Sequence, residues 1–376
     1  VSDPVVIATD GLSNDAVELK RVLEICNACR YCEGFCATFQ TLSRRRKVEW
    51  SELDYLSNLC HNCTACYHAC QYSPPHEFNI NAPLAFSRLR AESYQRYAWP
   101  NILGSMFQKN GLVVSLATAL ILALTMLLGS TLVNRDVLLA QHQLPGAFYQ
   151  IVSHQFIVAT AGSIFLFGIV AMLMGVHRFW SAAAGSSHFS FAALWGAMKS
   201  AATLSNLGGG HGKGCNTVDE SFSNQRRVFH QLTMWGFLLC FAATCSATFY
   251  EYVLGQLSPF PFFSLPVMLG TTGGLGLLIG PVGLAWVKLN SDPRPINVQQ
   301  YGMDYGFLAL LFLISVTGLL LLVLRETAAM GMLLLIHLGF VYSFFVTLPY
   351  GKFVHGIYRF TALVIFYGEQ HQNNKS

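Results

Sequence analysis

Six stretches of this chain, near 111–133, 148–175, 229–250, 263–287, 305–324 and 329–352, are apolar and almost free of charge. A helix that crosses a bilayer needs about 20 such residues, so each stretch is long enough to span one. Composition sharpens the point: only 11% of the 376 residues are charged, against about 25% in soluble domains. The deficit is uneven. Residues 1–105 hold ordinary polar and charged content, and the apolar runs follow in 106–376. The expected organisation is a small soluble head joined to a membrane domain. A soluble protein with six buried helices is the competing reading, but runs this long and numerous are rare in soluble cores. The fourth stretch contains "GTTGGLGLLIGPVG", whose glycines and Pro281 a membrane helix tolerates only where neighbours cover it.

Charge distribution sets the expected orientation. With the head in the cytoplasm, the inner connections and tail hold Arg178, Lys199, Lys213, Arg226, Arg227, Lys288, Arg294, Arg359 and Lys375, and the outer ones hold Arg135 and Arg325. That asymmetry places both termini, and a long loop at about 177–227, on the cytoplasmic side of a bacterial inner membrane. The net charge of +4 is weak, and no nucleic-acid motif stands behind it. No secretory signal is expected ahead of the head, and a first residue other than Met suggests a trimmed start. The run Arg44, Arg45, Arg46 and Lys47 reads either as a solvated face or as a docking patch for an acidic partner or lipid headgroups.

Eight of the eleven cysteines lie in the head, where a reducing compartment favours metal over disulfides. They form two runs of one spacing, Cys26-x2-Cys29-x2-Cys32-x3-Cys36 and Cys60-x2-Cys63-x2-Cys66-x3-Cys70. This is the spacing of two-cluster ferredoxins. Three thiolates two residues apart wrap one cubane, and the fourth completes the other. The expected ligands of one [4Fe–4S] cluster are Cys26, Cys29, Cys32 and Cys70. Those of the other are Cys60, Cys63, Cys66 and Cys36. Zinc would call for pairs separated by a longer spacer. Ala37 and Gln71 stand where ferredoxins often carry Pro, and "SELDYLSNL" between the runs has the start and spacing of a helix. A helical ferredoxin-like head fits better than a β-rich one, and the expected fold is all-α.

Ionisable residues within spans mark function by default. His154 lies in the second span, His177 at its end, His230 at the start of the third, His337 in the sixth and His355 just after it. His337 and His355 are eighteen residues apart, which is five helical turns and roughly 27 Å, so both project from one face if Pro349 does not kink the helix. Orientation gives His230 and His355 a shared depth near the head, where they can axially ligate one haem b. His177 competes for that site. His154 and His337 lie nearer the outer side, as a second haem pair or as a quinone or proton site.

The loop "GGGHGKGC" at 208–215 invites a phosphate-loop reading, but Leu207 stands where that motif needs Gly, and Gly214 follows Lys213 in place of Ser or Thr. A plain mobile loop is expected, with His211, Lys213 and Cys215 packing on a cluster or partner as the alternative.

The stretches "CNACRYCEGFCATF", "CHNCTACYHACQYSPPHEF", "LSNLGGGHGKGCN" and "RRVFHQLTMWGF" closely resemble the tricarballylate-utilisation (citrate-utilisation) protein B family, over nearly the whole chain. The resemblance implies a membrane electron acceptor for an FAD-dependent tricarballylate dehydrogenase on the cytoplasmic face. Electrons would pass through two [4Fe–4S] clusters and haem b to the quinone pool. No flavin fingerprint occurs in this chain, so the flavin belongs to the partner. A more distant likeness links "IHLGFVYSFFVTLPYGKFVHGIYR" and "FHQLTMWGFLLCF" to the haem helices of the gamma subunit of respiratory nitrate reductase. There the first histidine matches His230, but the second falls at Cys240. That departure favours a single haem on His230 and His355. One rival keeps the relay but changes the donor, to another dehydrogenase or a heterodisulfide-reductase-like complex, and a redox sensor or passive anchor is the rival of another class.

Overall fold

The computed structural model describes residues 12–185, 189–210 and 212–373. Among these the fold is helical, with one two-stranded hairpin, β1 (Cys215–Asn216) and β2 (Phe222–Ser223). The head comprises α1 (Asn14–Cys29), α2 (Ala37–Ser43), α3 (Leu53–Leu59), α4 (Ala65–His68) and α5 (Ala82–Tyr97). Ser13 caps α1 by accepting from the Ala16 N–H, with Asp15 in the first turn favouring the helix dipole. Leu19, Val22 and Leu23 recur at helical spacing and bury against Leu56 of α3 and Phe86 and Leu89 of α5. Each such burial stabilises by about 1.5–3 kcal/mol. The helix expected over "SELDYLSNL" is present as α3, entered through a tighter turn at Trp50–Glu52.

The second part comprises α6 (Asn110–Leu132), α7 (Arg135–Leu138), α8 (Ala147–Ile151), α9 (His154–Ala183), α10 (Phe191–Thr203), α11 (Gln225–Tyr252), α12 (Leu265–Leu289), α13 (Tyr301–Leu324), α14 (Met330–Thr347) and α15 (Val354–Asn373). Six of its helical segments are long and apolar enough to cross a membrane, as the six apolar runs require. Leu112, Leu116, Leu120, Leu124 and Leu127 stay exposed along α6, a pattern that suits lipid rather than water. The second span begins at His154, not near 148, because Ser153 caps α9 and the preceding residues form the separate α8. The glycine-rich fourth span is a continuous α12. A Cβ at Gly273 would lie 2.7 Å from the Gly236 carbonyl oxygen of α11 and 2.8 Å from the Cys240 nitrogen. Small residues therefore let α11 and α12 approach backbone to backbone, which covers Pro281.

Two helices were not expected. α10 lies inside the long loop. It buries Ala193 and Ala197 and exposes Phe191 and Trp195, as an interfacial amphipathic helix does. α15 occupies what read as a tail. Its Tyr358, Ala362, Leu363 and Phe366 pack against Tyr55 and Leu59 of α3, Tyr94 and Tyr97 of α5, Phe179 of α9 and Ala193 of α10. α15 thus forms the seam between head and bundle. Arg45 of the basic run belongs to that seam, bonded to Glu369 and Glu52 at 2.6 Å each, while Arg44, Arg46 and Lys47 stay exposed. Hydrogen bonds from Arg178 to the Ala98 carbonyl and from Tyr350 to the Trp99 carbonyl, each 2.8 Å, tie the head-facing ends of α9 and α14 to the head.

Candidate redox centre

The first cysteine run starts in the last turn of α1. Arg30, at φ 57°, ends the helix in a left-handed turn, and its N–H donates to the Cys26 carbonyl. The chain then doubles back, so that Cys26, Cys29, Cys32 and Cys70 line one cavity of about 240 Å³. Cys66 also touches it. Cys29 is exposed to solvent. Burial, then neighbouring thiols, pushes Cys26 and Cys32 up to about 12. For Cys26 the neighbours are Cys70 and Cys29, so the fourth cysteine of the second run returns to the first.

The second set is deeper. Cys60 and Cys63 are buried. Cys36 sits at the start of α2, where burial and the nearby Cys60 push its thiol up to about 11, against N–H groups of Phe39 and Thr38 that favour the thiolate. The neighbours of Cys66 are, in order, Cys63, Cys60, Cys32 and Cys36, which makes it the joint between the sets. Thiols this buried stay protonated unless a bound cation replaces the protons. All eleven cysteines are free, and among the described residues no three His, Cys, Asp or Glu side chains converge on one point. The thiols of the first set, with Cys66, ring a space instead, which suits a polynuclear cluster better than a single zinc ion.

The glycine-rich loop packs on the rest of the chain at Gly209, Gly210, Gly214 and Cys215. Gly209, Gly210, Gly212 and Gly214 all have positive φ, a backbone only glycine adopts readily. A Cβ on Gly210 would lie 2.7 Å from the Phe35 Cα, inside the first cysteine run. Asn206 accepts from the Ala37 N–H, and the Thr64 hydroxyl donates to the Asn216 carbonyl. Cys215, fully buried, packs with Cys63, Ala65 and Leu207. The loop therefore covers the second thiol set. Lys213 is exposed, and His211 lies outside the described residues.

Below the head lies a cavity of about 550 Å³ lined by both His230 and His355. Their ring centroids are 6.1 Å apart with planes at 78°. Two imidazoles bonded to one metal at about 2.0–2.1 Å each would place the centroids roughly 6.3 Å apart. Nδ1 of His355 meets the Lys352 carbonyl, and as donor there it leaves Nε2 free to accept a metal. Nδ1 of His230 is buried without a partner. Phe237, Leu311 and Phe353 supply apolar wall. The donor pair and the cavity fit a bis-histidine haem.

Sequence reasoning missed the charged rim. Arg90 donates to the Ser57 and Cys60 carbonyls at 3.0 and 2.8 Å, and Arg226 donates to the Asn62 and His61 carbonyls. Both arginines also line the cavity, so each joins the backbone of the second cysteine run to it. His61 is held down to about 3 by burial and then by Arg359, with His230 among its further neighbours. Asp304 binds Lys352 at 2.6 Å and also Lys288. The readable signal was the opposed charges at span ends.

Other expectations fail on geometry. His337 and His355 do not share one helix face. Pro349 supplies no N–H and Gly351 is extended, so α14 ends at Thr347 and α15 starts anew. His154 and His337 are not brought together. Tyr342 and Phe345 of α14 both reach α9, Tyr342 bonding Thr160 at 2.8 Å and Phe345 packing on Phe165. His337, five residues before Tyr342, is rotated from it by about 140° and meets Thr317 of α13 at 3.0 Å. His154 instead faces Glu251 at 3.3 Å, beside Tyr149. His177 is exposed and does not line the cavity. Cys240 of α11 packs at the close α11–α12 contact, its nitrogen and Sγ each 2.8 Å from where a Cβ on Gly273 would lie.

Comparison with known proteins follows the same division. Residues 19–96 match the family model "Citrate utilization protein B Fer4-like domain", and residues 106–375 match "Citrate utilization protein B". Citrate utilization protein B of Escherichia coli is 46% identical over 362 residues, covering 96% of this chain and 94% of that protein. No solved structure matches.

Proposed function

The chain belongs to the citrate utilization protein B family, and with its ferredoxin-like head we propose that it is a membrane electron-transfer protein reoxidising the FAD of a partner dehydrogenase of the tricarballylate type. The observation that carries the reading is continuity. A thiol set that opens to solvent at Cys29, a deeper set with Cys60 and Cys63 buried, and a histidine pair succeed one another, the last two joined by Arg90 and Arg226. When bound, two [4Fe–4S] clusters and one haem b would supply one-electron redox chemistry, which lets a two-electron flavin donor feed a quinone acceptor.

The residues of this chain do the placing. Cys29 keeps the first set within reach of a docked flavoprotein on the head. Cys36, Cys60, Cys63 and Cys66 hold the second set beside the glycine loop, with Cys60 and Cys63 buried from water. His230 and His355 hold the third position from two helices, one of the bundle and one of the seam. The chain has no carboxylic-acid chemistry of its own. With the head on the cytoplasmic side of a bacterial inner membrane, the quinone would come from the lipid phase.

The test is an iron and haem count with reduced-minus-oxidised spectra on purified protein, followed by quinone-analogue reduction with the flavoprotein as donor. Two clusters and one low-spin haem are expected, with the haem alone lost in His230→Ala and His355→Ala and everything kept in His154→Ala, His177→Ala and His337→Ala. Two haems per chain, or full haem retention in His230→Ala, would refute the assignment. A chain that the flavoprotein reduces but that never passes electrons to quinone would be a sensor or anchor.

A further inference from the structure

The charges around the histidine cavity do not balance. Arg90, Arg226, Lys288, Lys352 and Arg359 line it with Asp304, five cations against one carboxylate. Asp304 is already engaged by Lys288 and Lys352. Among the described residues, no carboxylate pairs with Arg90, Arg226 or Arg359. The first two meet only carbonyls, and Nε of Arg359 is buried without a hydrogen-bond partner. Burial, and then the neighbouring Arg90, holds the Arg359 guanidinium down to about 10, the direction of unmet positive charge. Uncompensated charge at the edge of a bilayer is costly, and beyond what the nearby Cys60 thiolate offsets at Arg359, the cavity favours an anionic occupant. The apolar walls require that occupant to have an apolar body. A quinone is neutral and would leave the arginines unpaired. Haem b is an apolar macrocycle with two carboxylates.

We propose that Arg90, Arg226 and Arg359 receive the two propionate carboxylates of the haem, with its charged edge turned toward the second cysteine run. The inference rests on the haem reading of His230 and His355. It adds that haem retention is set by three arginines, two of which also hold the cluster loop. Arg359 is the cleanest to perturb, because the hydrogen bonds to the cysteine run come from Arg90 and Arg226.

The experiment uses the full-length protein in nanodiscs, loaded with haem b or with its dimethyl ester, whose propionates are uncharged. The readout is the rate of haem loss to apomyoglobin. Arg359→Gln should release haem b about 10- to 150-fold faster than wild type, the range expected for one charge-assisted hydrogen bond. Arg359→Lys should recover part of the loss. The ester should leave wild type and Arg359→Gln at the same rate, with the low-spin spectrum of the bound fraction unchanged. Equal sensitivity of acid and ester to Arg359→Gln would overturn the proposal, since a shape effect touches both. So would unchanged haem b release accompanied by loss of co-purifying anionic lipid, which would make a lipid headgroup the occupant. Wild-type protein that takes up no low-spin haem would instead defeat the reading of the histidine pair.

Discussion

Gly210 tests whether the glycine loop is a structural cover. Gly210 and Gly212 both lie in left-handed backbone, at φ 81° and 72°. Alanine at either position costs roughly 1–2 kcal/mol for that conformation. Only at Gly210 does the new Cβ strike something, the Phe35 Cα at 2.7 Å; at Gly212 nothing lies within 4 Å. Backbone cannot yield as a side chain end can, so Gly210→Ala bears a further overpacking cost of about 1–3 kcal/mol. The difference between the two variants isolates the contact. If the loop opens and closes faster than iron is lost, the open population governs the rate. Gly210→Ala should then lose cluster iron to a ferrous chelator about 5- to 150-fold faster than Gly212→Ala. Electron paramagnetic resonance should show the second cluster disappearing first. Equal rates in the two variants, or earlier loss of the first cluster, would refute the covering role.

Two further outcomes follow from the same geometry. Cys36→Ser should disturb mainly the cluster of Cys60, Cys63 and Cys66, because Cys60 is the thiol that acts most on Cys36, with Cys32 of the first set a lesser neighbour; a resonance loss confined to the Cys26, Cys29 and Cys32 cluster would contradict it. Asp304→Asn leaves Lys288 and Lys352 without their anion, a change expected to cost about 3–5 kcal/mol where such a pair is buried. It should lower the thermal midpoint of the detergent-solubilised protein, and Lys352→Met in the same chain should recover part of the loss.

What the sequence determined by itself is what local spacing encodes. Six apolar runs became six long apolar helices, because hydropathy acts residue by residue along the chain. Identical cysteine spacing placed Cys70 with the first set and Cys36 beside Cys60, because a short run can bend only so far. The meeting of His230 and His355 was also legible, through depth.

What only the tertiary structure decided is which faces meet. α15 lay hidden as a tail, since its pattern of Val354, Tyr358, Ala362 and Phe366 is amphipathic rather than uniformly apolar and marks a seam only once α3, α5 and α10 are beside it. The one-face argument for His337 and His355 failed at Pro349 and Gly351, where the helix that would have carried it ends. The glycine loop read as mobile because a left-handed backbone leaves no periodic trace, and only Phe35 across the chain gives those glycines a reason. Arg90 sits far in sequence from His230 and His355. A shared cavity of cations needs three-dimensional closure, because electrostatic compensation depends on distance through space and not on order along the chain.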